Sequence, residues 1–300
     1  MKVLVTGGAG FIGSHLVVLL VREGINVRVF DSLASGKQER LPEGIPFVKG
    51  DVRDRNAVLS AMQGVTHVVH LAALISVAES MTNPLSFHEV NVTGFENVLD
   101  AMRAAGVTRV VYASSAAVYG DDPVLPKSES SPLRPLSPYA LSKAVNELQA
   151  GLYERAYGLS SVGLRPFNTY GPGQAGNHPY ASVIPRWIEA MRAGHPITIY
   201  GDGSQTRDFI HVRDIAGAIL RALTAEASGI FNIASGKETS LLALRDMLAK
   251  ENGGACETRN EPARNGDISR SVADISVARR ILGFEPSVPL EEGIRELFNL

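Results

Sequence analysis

Apolar positions fall into two rhythms along the first half of the chain. Residues 2–6, 26–30, 46–49, 66–70 and 107–113 are short apolar runs, such as Val3-Leu4-Val5, with the length of strands. They read as strands buried on both faces. Between them lie helical patterns after Gly13 to about Glu23, at about 54–63 and at about 91–105. A longer helix is expected from Pro138, whose missing N–H costs nothing in a first turn, to about Tyr157. A sixth strand follows at 161–165. This alternation predicts an α/β fold, a doubly wound parallel sheet with helices on both faces. After Arg165 the rhythm lapses and Pro, Gly and polar residues become denser. Helices are expected at about 183–193, 212–225, 240–251, 274–282 and 290–299, with short strands at 197–200 and 230–234. We therefore expect a first domain over 1–165 and a smaller C-terminal α/β lobe over 166–300, with segments near 205–235 returning to the first domain.

Composition narrows the setting. Three hundred residues, 45% hydrophobic and 20% charged with a formal net charge of −2, can bury a large core and offer no basic block for nucleic acid. The longest apolar stretch, 16–21, is too short to span a bilayer. Met1 leads directly into a strand and a glycine loop rather than an apolar leader, and Cys256 is the sole cysteine. A cytoplasmic protein without an internal disulfide is expected, with Cys256 structural. His67 and His70 differ by three on one strand and so point to opposite faces; no metal site is expected.

The chemistry is concentrated where strands end. Gly7, Gly10 and Gly13 stand between a strand and a helix, a relative of the dinucleotide fingerprint. Gly7 permits the turn, Gly10 admits a pyrophosphate to the backbone, and Gly13 lets the helix approach the sheet. Asp31, ending the second strand, suits ribose hydroxyls and would repel a 2′-phosphate, which favours NAD over NADP. Lys37 and Arg40 nearby are the countervailing cations. Asp51, Ala72 and Ser115 fall at other strand ends, so one crevice is expected to collect them. Tyr139 and Lys143 are four apart on one helical face. An ammonium there is expected to draw the phenol down from its ordinary value, giving an acid–base pair, with Ser115 hydrogen-bonding the same reacting oxygen.

These motifs, with Leu71-Ala-Ala73, Asn91-Val-Thr-Gly94, Val118-Tyr-Gly120, Arg165-Pro-Phe-Asn168, Tyr200-Gly-Asp-Gly203, Arg207-Asp208, Arg264-Asn-Gly-Asp267 and Ala273-Asp274, resemble the extended short-chain dehydrogenase/reductases of the sugar-nucleotide epimerase/dehydratase group. The resemblance covers essentially the whole chain. It implies a Rossmann-type domain holding NAD through Gly7, Gly10, Phe11, Ile12, Gly13, Asp31, Ser32, Gly36, Asp51, Val52, Leu71, Ala72, Ala73, Asn91, Ser114, Tyr139, Lys143 and Pro166. It implies catalysis by Ser115, Tyr139 and Lys143: Tyr139 takes the proton from sugar O4 as hydride leaves C4 for NAD. It implies a nucleotide-diphosphate clamp of Asn168, Arg207, Arg264 and Asp267, and a homodimer in which helices at about 91–105 and 140–157 form a four-helix interface.

Departures from the group's patterns select among its reactions. The dehydratases resembled here carry an Asp-Glu pair where this chain has Ala116 and Ala117, and the decarboxylases keep a Glu at the position of Ala117. Residues 171–178 contain no Arg or Lys to hold a C6 carboxylate, which counts against a uronic acid. What remains is a UDP-hexose 4-epimerase. Its competitors are a UDP-uronic acid 4-epimerase or 4-reductase and, from another class, a non-catalytic NAD-binding sensor. By the same resemblance a Tyr four residues after the clamp Asp gates the sugar C2 pocket; that position is Ser271, so UDP-GlcNAc and UDP-GalNAc are expected beside UDP-glucose and UDP-galactose.

Overall fold

Val3, Leu4 and Val5 are all fully buried because β1 (Lys2–Thr6) runs through the middle of a sheet with helices on either face. The computed structural model describes residues 1–176, 182–254, 256–263 and 268–299. β2 (Asn26–Asp31) and then β3 (Phe47–Lys49) extend one side of β1. On the other side lie β4 (His67–His70), β5 (Arg109–Ala113), β6 (Ser160–Pro166) and β7 (Gly229–Ile233), the last arriving late in the chain. The seven-stranded order is β7-β6-β5-β4-β1-β2-β3 and every pairing is parallel. Strand order reverses between β1 and β4, so their carboxyl ends open a crevice there.

Successive β1 side chains feed opposite cores. Val3 and Val5 pack with Leu16 and Leu20 of α1 (Phe11–Arg22). Leu4 packs with Val58 of α2 (Arg55–Ala61) and with Phe95, Val98 and Leu99 of α3 (Gly94–Ala105). The long helix α4 (Pro138–Tyr157) adds Ala150 and Tyr153 to that second core. Ser137 caps α4, its hydroxyl accepting from Ala140 N at 3.1 Å.

A third apolar cluster lies in the C-terminal lobe. Trp187 and Ile188 of α5 (Val183–Arg192) meet Leu244 and Leu248 of α7 (Leu241–Glu251) and Ile294 of α8 (Leu290–Phe298). The helix between them, α6 (Val212–Thr224), packs instead on the α1 side of the main sheet through Ile215 and Ile219. Asn168–Tyr170 pairs with Phe209–His211, and Ile197–Tyr200 with Thr258–Glu261, all parallel. No helix among the described residues is long and apolar enough to cross a membrane.

One expected element differs. The helix read from residue 91 begins at Gly94 and is preceded by helices Val77–Thr82 and Pro84–Phe87 and a π turn, His88–Thr93. Val77, Met81 and Leu85 point outward, so this stretch carries no inward apolar stripe for periodicity to detect.

Candidate active site

The glycine loop closes tightly at the head of the crevice. Gly7 has φ +71°, and a Cβ there would sit 2.6 Å from Ala72 N. A Cβ on Gly13 would lie 2.1 Å from the Gly7 carbonyl oxygen, so α1 can approach β1 this closely only with glycine. Gly10 caps α1 without a side chain, which leaves the first-turn amides, Phe11 and Ile12 among them, facing outward for an anion. Asp31 is buried, its Oδ2 accepting from Ala9 N at 2.9 Å and its Oδ1 from Leu33 N at 2.8 Å. It thereby ties the glycine loop to the turn at Ser32, with Gly36 close against the same carboxylate. Arg40 donates to the Gly173 carbonyl at 2.9 Å, so its guanidinium holds a loop of the other lobe. Next along the rim, Asp51 takes a bidentate pair from Arg53, which holds its carboxyl below the usual range, and Val52 is buried beside it. Leu71, Ala72 and Ala73 follow β4 as a wall of mostly small side chains. An uncapped helix start, a buried carboxylate at the end of β2 and that wall fit an adenine dinucleotide.

Asn91 is spent on architecture. Its Oδ1 accepts from Leu74 N at 2.8 Å, and its Nδ2 donates to the Leu74 carbonyl at 2.9 Å and to Ser142 Oγ at 3.0 Å. The π turn aims this fully buried amide between the loop after β4 and helix α4. His70 is likewise internal, Nδ1 at 2.8 Å from Thr6 Oγ1 and the ring stacked on Phe95; burial pushes it down to about 3, so it stays neutral.

Ser115, Tyr139 and Lys143 converge. Ser115 caps a 3₁₀ turn, Ala116–Tyr119, accepting from Ala117 N at 3.2 Å, and its hydroxyl lies close enough to the Tyr139 phenol to favour the charged form. The Tyr139 ring packs edge-on against Phe87 with centroids 6.5 Å apart. Lys143 is buried and donates to the Ala113 carbonyl at 2.8 Å. The expected acidification of Tyr139 by Lys143 is not what the chain's own groups produce. Burial pushes the phenol up, with the Ser115 hydrogen bond opposing, while burial pulls the Lys143 ammonium down to about 8. Desolvation penalises both charged forms and outweighs the local hydrogen bonding.

Behind this trio lies a buried ion pair that sequence reading missed. Arg165, ending β6, grips Glu147 of α4 through Nε at 2.8 Å and a terminal nitrogen at 2.6 Å. Its other nitrogen donates to Tyr119 Oη at 2.7 Å, and Tyr119 donates to Asn232 Oδ1 at 2.6 Å. Glu147 could have been suspected as the third residue of the 139, 143, 147 spacing.

Pro166, which the resemblance assigns to NAD, follows Arg165, and Asn168, which it assigns to the clamp, is exposed with its backbone N on the Asp208 carbonyl at 3.0 Å. Arg207 donates to the Thr206 and Ile268 carbonyls at 2.8 and 2.7 Å. Asp208 is buried and accepts from Ser235 N, Ser235 Oγ, Gly236 N and Ala273 N. Ser271 lies half-buried between these anchors. Arg264 and Asp267 lie outside the described residues.

Comparison with known proteins agrees with this geometry. A UDP-glucose 4-epimerase of Mycolicibacterium smegmatis is 40% identical over 302 residues, covering 98% of this chain and 96% of its own. The structure of a Thermus thermophilus UDP-glucose 4-epimerase complexed with NAD superposes with a TM-score of 0.93 at 40% identity, covering 100% of this chain and 98% of that one. A UDP-N-acetylglucosamine 4-epimerase from Methanobrevibacter ruminantium M1, complexed with UDP-N-acetylmuramic acid, superposes at 0.96 with 38% identity over 99% of this chain and 97% of that one. The profile of the NAD dependent epimerase/dehydratase family matches residues 3–234, from β1 to just past β7. With a nucleotide cradle at the switch point and a Ser, Tyr and Lys beside it, this chain belongs to that family and uses NAD.

Proposed function

We propose that the protein is a UDP-hexose 4-epimerase that interconverts UDP-glucose with UDP-galactose and UDP-GlcNAc with UDP-GalNAc. The observation that carries the reaction type is the trio of Ser115, Tyr139 and Lys143 beside a dinucleotide cradle, with Ala116 and Ala117 in place of further acid–base groups. NAD supplies the hydride acceptor and returns the hydride. Tyr139 takes the proton from sugar O4 and gives it back, Ser115 shares the hydrogen bond to that oxygen, and Lys143 provides the nearby cation. Arg207, with Arg264, is assigned the diphosphate, and Asn168 and Asp267 complete the clamp. Guanidinium forks suit phosphate recognition. We read residues 1–165, joined by the segments near 205–235, as the cofactor unit and the remainder as the sugar-nucleotide lobe.

Two observations support room for an N-acetyl group. Ser271 is small, and its neighbour Arg270 is held away on Glu238 by bonds of 3.0 and 2.5 Å. The similarity to a UDP-N-acetylglucosamine 4-epimerase points the same way. The test is kcat/KM for UDP-GalNAc and UDP-galactose in wild type and Ser271→Tyr. A bulky ring should remove the N-acetyl activity selectively, since a clash discriminates more strongly than a lost contact. Equal loss of both substrates, or no turnover of UDP-GalNAc by wild type, would refute the gate.

A homodimer through α3 and α4 completes the reading. Leu141, Leu148 and Leu152 stand 54%, 70% and 53% exposed on α4, whereas Ala144 on the same helix packs inward. Light scattering that finds only monomer at micromolar concentration would exclude it.

A further inference from the structure

Three consecutive residues leaving β5 face α4 at positions spaced by four. The Ala113 carbonyl accepts from Lys143 Nζ at 2.8 Å, Ser114 Oγ donates to Glu147 Oε1 at 2.5 Å, and the Ser115 hydroxyl lies beside the Tyr139 phenol. Residues 139, 143 and 147 share one helical face, so this strand exit and that face form a ladder of three rungs. Two rungs contain the reacting groups. The third, Ser114 to Glu147, touches no reacting atom, yet it is the most heavily built. Both side chains are buried, and Glu147 also receives the two-pronged grip of Arg165 from the end of β6. Arg165 is itself locked, its guanidinium 4.8 Å over the Tyr119 ring and hydrogen-bonded to the Tyr119 hydroxyl and the Glu129 carbonyl.

We propose that Glu147 is a positioning residue for the reaction: by holding Ser114 and Arg165 it fixes the exits of β5 and β6 against α4, and so seats Ser115 at the distance from Tyr139 that proton transfer needs. A carboxylate suits this task because it can accept from a hydroxyl and a guanidinium at once in directions set by its plane. An apolar contact at the same place would allow α4 to slide along the sheet. An error of about 1 Å between reacting groups can cost on the order of a hundredfold in rate. The inference rests on the assignment of Ser115, Tyr139 and Lys143 as the reacting groups and adds residues that do not touch substrate.

The mildest cut is Ser114→Ala, which removes the third rung and leaves the Glu147–Arg165 pair intact. In the NAD-loaded protein, with whichever UDP-hexose wild type turns over best, kcat should fall roughly 10- to 100-fold. The resemblance places Ser114 among the NAD-holding residues, but its hydroxyl is committed to Glu147, so KM, bound NAD per chain and melting temperature should stay near wild type. Ser114→Thr keeps the hydroxyl and should restore kcat to within about threefold. Hydrogen exchange provides an arm independent of turnover: backbone amides of residues 115–119 should exchange faster in Ser114→Ala and normally in Ser114→Thr. The proposal is overturned if kcat in Ser114→Ala stays within about twofold of wild type, if KM rises at unchanged kcat, if NAD is lost, or if exchange is unaltered. Absence of turnover in wild type with every UDP-hexose would defeat the proposed reaction instead, and the exchange arm would still decide the joint.

Discussion

Lys143 should be a residue that the fold would be more stable without. Its ammonium is buried with the Ala113 carbonyl as its hydrogen-bond partner, and burial lowers it from 10.5 to about 8. That drop corresponds to roughly 3 kcal/mol against the charged form at neutral pH. Lys143→Met keeps the length and apolar bulk of the stem and removes the charge. It leaves the Ala113 carbonyl without its donor, at about 1 kcal/mol. The variant should therefore be more stable at pH 7 by about 2 kcal/mol, or ~3 °C in Tm for a chain of 300 residues. The pH dependence identifies the cause. Below about pH 8 the lysine is protonated in both states, and the wild type carries the full cost. Between about 8 and 10.5 the unfolded chain holds a proton that the folded chain lacks, so wild-type stability rises with pH relative to the variant. By the top of that window the order should reverse, with only the lost hydrogen bond separating the two. Urea unfolding of NAD-stripped wild type and variant at pH 7, 9 and 10.5 measures this directly. A variant less stable than wild type at pH 7, or a gap that does not change with pH, would refute the reasoning. Epimerisation should meanwhile fall at least about a hundredfold in the variant.

Three further outcomes follow from the site. Tyr139→Phe retains the ring packing on Phe87, so the protein should fold and keep NAD while kcat drops by about 10² to 10⁴; near-normal turnover would remove Tyr139 from its role. Asp31→Ser should lower NAD(H) carried through purification and narrow discrimination against NADP(H), read by mass spectrometry of the released nucleotide, because the carboxylate that repels a 2′-phosphate is gone; unchanged discrimination would point to another determinant. Gly13→Ala places a methyl 2.1 Å from the Gly7 carbonyl oxygen and should strip NAD and cost about 1–3 kcal/mol of stability; a variant with normal NAD content would show that α1 can shift without harm.

The sheet was legible because its strands are buried on both faces and therefore continuous in the sequence, as in Val3-Leu4-Val5 and in residues 107–113, which form a strand over Arg109–Ala113. The seating of Gly7 and Gly13 was legible for a related reason: each satisfies a local backbone demand that few residue types can meet, whereas the bonds Asp31 accepts from Ala9 N and Leu33 N were not foreseen. What escaped is tertiary. The pairs Asn168–Tyr170 with Phe209–His211 and Thr206–Arg207 with Thr239–Ser240 are two or three residues long, below the length at which periodicity has meaning. The acidity of Tyr139 was misjudged because spacing reveals a neighbouring cation but not the burial that overrides it. Glu147 reads as one more helix carboxylate until Arg165, 18 residues later, is seen to close on it.

The distribution of these restraints separates chemistry from specificity. The proposed reacting groups, Ser115 just past β5 and Tyr139 and Lys143 on α4, stand in a joint tied by the Lys143, Glu147 and Asn91 side chains, so a change there disturbs several bonds at once. Ser271 sits differently. Thr206 N bonds the Ser269 carbonyl at 2.9 Å on one side of it, and Lys127 N bonds the Val272 carbonyl at 2.8 Å on the other. Asp208 then anchors Ala273 N together with Ser235 and Gly236. The backbone around position 271 is thus held within two residues on both sides by bonds that do not involve its side chain. If position 271 lines the sugar pocket as proposed, substitution there can enlarge or close it while leaving the backbone where it was. On the proposed reading, single residues of the C-terminal lobe can then change the substrate while one proton-transfer apparatus is kept.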